Sequence, residues 1–145
     1  MGSLMFRVVT DKTGIDNKAE RLKAALENFQ SDVLVGGARE VAKWSPVDTG
    51  AYMDSHNVES GIVGSMPGIS SEGRPRFQDK SSYEMAAVAR MEQQVEAMED
   101  KSIATIYNNA EHAQDVEYRW GYEPYTATYR EMTRIVDEAR NKNFK

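Results

Sequence analysis

The chain has 145 residues, 40% of them hydrophobic and 28% charged, with a net charge of −5. That length suits one domain with a modest core, and an apolar share below the roughly 45–50% of ordinary globular proteins predicts that contacts between subunits supply part of the stability. The acidic balance argues against a protein built to grip nucleic-acid phosphates, and the absence of cysteine excludes disulfides, thiolate nucleophiles and Cys-ligated metals.

No apolar run approaches the roughly 18 residues of a membrane span, and no signal-peptide pattern opens the chain. Phe6 stands where a myristoylation signal needs Ser or Thr. The expected setting is a cytoplasm, or a particle assembled in one.

In chain order, Met5-Phe6-Arg7-Val8-Val9-Thr10 is β-branched and aromatic and predicts a short strand, closed by a turn at Asp11-Lys12-Thr13-Gly14. Asp16 or Asn17 is placed to cap a long helix, with Glu20 answering back. Leu22, Leu26, Phe29, Val33 and Val41 keep its three-to-four-residue rhythm, and Gly36-Gly37 allows a kink or a close neighbour. The helix is expected to reach Trp44, where Ser45-Pro46 stops it, because the residue before proline avoids the α region. Residues 52–58 form a weaker strand candidate.

Residues 61–80 are punctuated by Gly61, Gly64, Pro67, Gly68, Gly73 and Pro75 and predict a long loop. Met66, Ile69 and Phe77 have no local core to bury there, and Arg74 and Arg76 form a small basic island. The expectation is a segment unheld within its own subunit that orders against a neighbouring one, with both arginines meeting an acidic patch across the contact. Ser81 or Ser82 then caps a second helix to about Asp100, with Met85, Val88, Val95 and Met98 on its apolar stripe. Residues 103–108 alternate as a strand, and residues 113–118 are expected to pair with it on the way back. Pro124 opens a last helix whose apolar side shows Tyr125, Tyr129, Met132, Val136 and Ala139. The order predicts an α+β fold: a small, mostly antiparallel β-sheet packed with a long N-terminal helix, a middle helix and a C-terminal helix.

Candidate chemistry is sparse. His56 and His112 belong to no metal-binding spacing, and the glycines of residues 61–68 lack the Gly-Lys-Ser/Thr ending of a phosphate loop. Asp48 with Asp54, or Asp115 with Glu117, could serve as acid and base only if their environments pushed two pKa values apart. Asp48 reads instead as a turn residue and Glu117 as a solvent-facing strand position. No catalytic residue, cofactor or metal is expected. Residues 81–118 are acidic, with Glu84, Glu92, Glu96, Glu99, Asp100, Glu111, Asp115 and Glu117 against Arg90 and Lys101. They form a solvated face, or a wall along a channel that keeps DNA from sticking.

Two stretches go further. One is Ser45-Pro46-Val47-Asp48-Thr49-Gly50, followed by Tyr52 and Ser55. The other is Ile106-Tyr107-Asn108-Asn109, then His112-Ala113, Val116-Glu117-Tyr118 and Trp120-Gly121-Tyr122. Together, around helices in the right order, they resemble the neck and tail-completion proteins of long-tailed bacteriophages, over residues 17–58 and 81–139. That family has a "P-V-D-T-G" turn after a long first helix and a later "N-N-x-x-Y-A-x-x-[VL]-E-Y-G" stretch. Here His112 stands where the family often has Tyr, and Arg119-Trp120-Gly121 replaces a simpler Tyr-Gly. Pro46 ends a helix, Asp48 can bond the turn amides that follow, Thr49 completes the turn, and Gly50 tolerates positive φ. Asn108 and Asn109 close a strand, and Ala113, Val116 and Tyr118 are expected to pack on its return.

The resemblance implies a structural virion protein forming a homo-oligomeric ring at the head–tail junction, six-fold favoured and twelve-fold the alternative. Its partners would be the neighbouring connector, terminator and tail-tube proteins, with DNA passing through unread. An adaptor or stopper under the portal is the nearest alternative, and a small DNA-packaging or regulatory nucleic-acid-binding protein a more distant one.

Overall fold

A computed structural model describes residues 2–7 and 17–144. The elements run β1 (Ser3–Arg7), α1 (Asn17–Trp44), a single 3₁₀ turn (Met53–Ser55), β2 (His56–Ser60), α2 (Lys80–Ala97), β3 (Ile103–Asn108), a π-type turn (Asp115–Arg119) and α3 (Pro124–Asn143). The turn expected at 11–14 and the caps expected from Asp16 or Asn17 lie outside what is described.

The α+β expectation holds. The sheet has three strands in the order β1-β3-β2, antiparallel throughout. Alternation puts Leu4, Val58, Ala104 and Ile106 on one face, where Leu34, Ala38 and Val41 of α1 and Ala87, Met91 and Val95 of α2 cover them. Ile106, Met91 and Leu34 are essentially inaccessible, and full burial of such side chains is worth about 1.5–3 kcal/mol each. Of the two roles open to Gly36-Gly37, close approach is the one realised. A Cβ on Gly36 would stand 2.6 Å from Ile135 of α3, and one on Gly37 would stand 2.9 Å from the Phe6 ring. Helix α3 runs antiparallel along α1, with Arg134 on Glu40 at 2.8 Å and Asn143 on Asp32 at 2.8 Å.

Several expectations are corrected. Residues 113–118 form no strand: the chain is helical from Ala113 through Arg119, and Ala113 and Val116 are buried by a three-residue helical spacing. Tyr118, expected to pack, points outward. In α2 Val95 is buried and Val88 and Met98 pack against the core as expected, but Ala87 and Met91 complete the buried stripe while Met85 is 71% exposed. Its cap is Asp79, whose carboxylate accepts from the Ser82 amide at 3.2 Å, in place of Ser81 or Ser82. In α3, Thr128 and Ile135 are buried and Tyr129 is not; Thr128 satisfies its buried hydroxyl on the Pro124 carbonyl at 2.7 Å.

The loop at 61–79 is held by its own chain. The Met66 amide donates to the Tyr107 hydroxyl at 3.1 Å, Ile69 to Ser55 Oγ at 2.7 Å, and Gln78 to the Asp48 carbonyl at 2.8 Å. The arginines expected to bridge to another subunit find acids at home. Arg74 meets Asp54 at 2.8 Å and Arg76 meets Asp48 at 3.0 Å. Met66, Ile69 and Phe77 do stay exposed, Phe77 at 84%.

Candidate functional site

The Ser45–Gly50 turn is built from both ends. Pro46 stops α1, and Thr49 Oγ1 accepts from the Ala51 amide at 3.3 Å. Gly50 adopts φ +82°, and a Cβ there would stand 2.0 Å from the Tyr83 ring, so two independent constraints require glycine. The Asp48 carboxylate turns away from the following amides and takes the Phe77 amide at 2.9 Å together with Arg76. The Phe77 bond, supported by Arg76 and opposed by desolvation, holds this carboxyl below its usual range.

Behind the turn lies a polar cluster buried from solvent. Ser45 Oγ gives its one hydrogen to the Val41 carbonyl at 2.6 Å, so the 2.7 Å contact between Ser45 Oγ and His56 Nε2 has the imidazole donating. Nδ1 is then the acceptor, facing the Tyr125 hydroxyl at 2.9 Å and Asn108 Nδ2 at 3.2 Å. Asn108 Nδ2 also donates to the Tyr52 carbonyl at 2.7 Å, and its Oδ1 accepts from the Ala110 amide at 2.9 Å. Burial, with the Arg90 charge adding to it, pulls the His56 pKa down to about 3. Burial likewise pushes the Tyr52 and Tyr125 hydroxyls well above their usual value, and the Glu117 charge reinforces both. A Ser–His contact of this length invites comparison with an acyl-transfer pair, but the proton runs from histidine to serine. A base that donates to its would-be nucleophile cannot activate it. What the cluster does is tie the end of α1, β2, β3 and α3 together.

Glu117 overturns its expected exposure. It is 1% exposed, and its carboxylate accepts from the Tyr125 amide at 3.0 Å, the Thr126 amide at 2.7 Å and the Thr126 hydroxyl at 2.7 Å. Those are the free amides of the first turn of α3, where a negative charge is stabilised by the helix dipole. Glu123, the residue before Pro124, is left-handed at φ +48° and offers no side-chain cap. Glu117 supplies the cap from six positions upstream. The sequence carried one signal for it: a helix opening on proline without Ser, Thr, Asp or Asn before it.

Between the turn and the π-type segment lies a cleft of about 540 Å³. Val47, Ala51 and Tyr52 line one wall, Val116, Trp120 and Tyr122 the other. At its edge His112 stands 3.7 Å from Asp115 and leans on the Trp120 ring. Asn109 fastens the loop to this region, donating to the Met66 carbonyl at 2.8 Å, and a Cβ on Gly68 would stand 2.3 Å from the Asn109 carbonyl. Gly121, at φ +79°, turns the chain toward α3. The two sequence stretches therefore meet: Pro46, Asp48, Thr49 and Gly50 on one side and His112, Val116, Trp120 and Tyr122 on the other, with Asn108, Ala113 and Glu117 buried and outside the lining. Met66, Arg74 and Phe77 stand outside the cleft, while Ile69 and Arg76 reach its edge. Trp120 and Tyr122 are 52% and 50% exposed, with Tyr118 further out.

Among the described residues no group of three or more His, Asp or Glu side chains is arranged to hold a metal ion, and every buried side-chain polar atom has a partner. No described helix is long and apolar enough to cross a membrane. No protein-family model matches the chain, and no curated protein or solved structure shows significant similarity to it.

Proposed function

We propose that this chain is a structural subunit of the neck of a long-tailed bacteriophage, forming a ring at the head–tail junction that joins head to tail or completes the tail around the DNA channel. One observation carries the reading: the two stretches that resemble the neck and tail-completion family, some sixty residues apart in sequence, form opposite walls of one cleft. Beneath the cleft the buried polar side chains are paired within the chain, and Trp120 and Tyr122 line it half exposed, of residue types enriched where proteins meet. The mechanism is binding, with closure of identical subunits setting the diameter of the passage, six-fold favoured over twelve-fold. The neighbours are connector, terminator and tail-tube proteins, and the DNA passes without sequence-specific contact.

Removing the gene and imaging the lysate by electron microscopy tests this. Filled heads and separate tails that fail to unite are the expected result. Normally joined virions, or a block before capsids form, would overturn it.

A further inference from the structure

Helix α1 outlasts its partner. Phe144, at the end of α3, packs edge-on against Phe29 at 5.6 Å between ring centroids. The first three turns of α1, residues 17–28, run on beyond it for about 18 Å at 1.5 Å per residue. None of residues 18–28 is buried. Yet Leu22 and Leu26 continue the stripe that α3 covers further along, and Leu22 is left 52% exposed. At 100° per residue, Lys18 and Lys23 flank that stripe, while Glu20 and Glu27 turn roughly 120–140° away.

A second helix has the opposite character. The outward face of α2 presents Met85, Ala86 and Ala89, all exposed, and then Glu96, with Glu99 and Asp100 just past its end, while Glu92 on the flank is held by Arg39 of α1 at 2.7 Å. Arg90, the one cation of this helix after its first residue, turns inward to the carbonyls of Met53 and His56. Both sets of charge sit at the wrong ends for their own helices. Lysine in the opening turns opposes the helix dipole, and α2 has no basic residue in its last turn. Among the described residues Lys18, Lys23 and Glu96 make no ion pair within the chain.

We propose that the α1 overhang of one copy packs antiparallel on the outer face of α2 of the next copy, head to tail. Four-residue steps match in that direction: Leu26 on Met85, Leu22 on Ala89, and Lys18 beside Gln93 and Glu96. The contact uses two different surfaces of one chain, which is what a closed ring of identical subunits needs. It rests on the ring reading above and names the interface that would build it.

The chain has no cysteine, so disulfide trapping is free of background. Purified L22C/A89C protein, oxidised at a concentration where the wild type oligomerises, should give a ladder ending in a closed species. L22C mixed with A89C should give dimers only, and either alone no more than an E138C control. Cross-linking of L22C with itself would mean that overhangs pair with each other, overturning the proposal. A double variant that cross-links no faster than the control, while the wild type still oligomerises by sedimentation, would remove this interface and leave the ring reading standing. A wild type that stays monomeric at every concentration, with no trapping, would remove both.

Discussion

The polar floor buried beneath the cleft and the aromatic rim of the cleft obey opposite rules. On the floor, Ser45, His56, Asn108 and Glu117 are buried, and each polar atom has a partner within the chain. On the rim, Trp120 and Tyr122 are half exposed, and Trp120 rests against the His112 ring. The contrast separates two kinds of constraint in one motif. Residues that turn inward set the fold, and changes there act on stability. Residues that turn outward cost the isolated chain apolar exposure, which only a partner removes.

The largest effect should come from the hinge of the floor. Gly50→Ala places a Cβ into the Tyr83 ring at a left-handed φ, and both penalties apply together. Thermal or urea unfolding should show a loss of about 3 kcal/mol or more, and adding Tyr83→Ala should return only the steric part. A variant as stable as its parent would mean the turn can rearrange.

A smaller, graded effect follows from His56. Its pKa lies at about 3 in the folded chain against an ordinary value of 6.5, so the folded state refuses a proton that the unfolded state accepts. Stability contributed by the neutral ring is present above pH 6.5 and is lost as pH falls from there toward 3. The slope is at most about 1.4 kcal/mol per pH unit for one such group. Urea unfolding followed across that window should show the slope, and His56→Gln should flatten it. An unchanged slope in the variant would assign the acid sensitivity to the carboxylates.

Much of the architecture was legible in the sequence, and the failures share a cause. The helix from residue 17 to Trp44, its stop at Pro46, the strand at 103–108 and the opening of α3 at Pro124 follow from local rules: periodicity, proline geometry, alternation. What could not be read were side chains whose partners lie elsewhere in the chain. Glu117 looks solvated until α3 presents bare amides eight and nine positions on. Asp48 looks like a turn former until residues 76–78 return beside it. Arg74 and Arg76 look free until Asp54 and Asp48 are brought to them. Of the α2 stripe, Val88, Val95 and Met98 were legible; Met85 and Met91 are the same residue type, and only packing decides which of the two is buried. Of the site, the motif residues were legible as a group; that they face each other across a cleft was not.

The measurement that bears most directly on the account is a pair of readings on Trp120→Ala/Tyr122→Ala. The substitution leaves the floor untouched and removes only half-buried side chains, so its unfolding free energy should fall by no more than about 2 kcal/mol, less than for Gly50→Ala. Supplied to a phage lacking the gene, the same protein should leave heads and tails unjoined in electron micrographs, where the wild-type protein restores joined particles. A variant that unfolds readily would make the rim part of the core, and one that restores joined, infectious virions in full would deny that the rim is where this chain meets its neighbours.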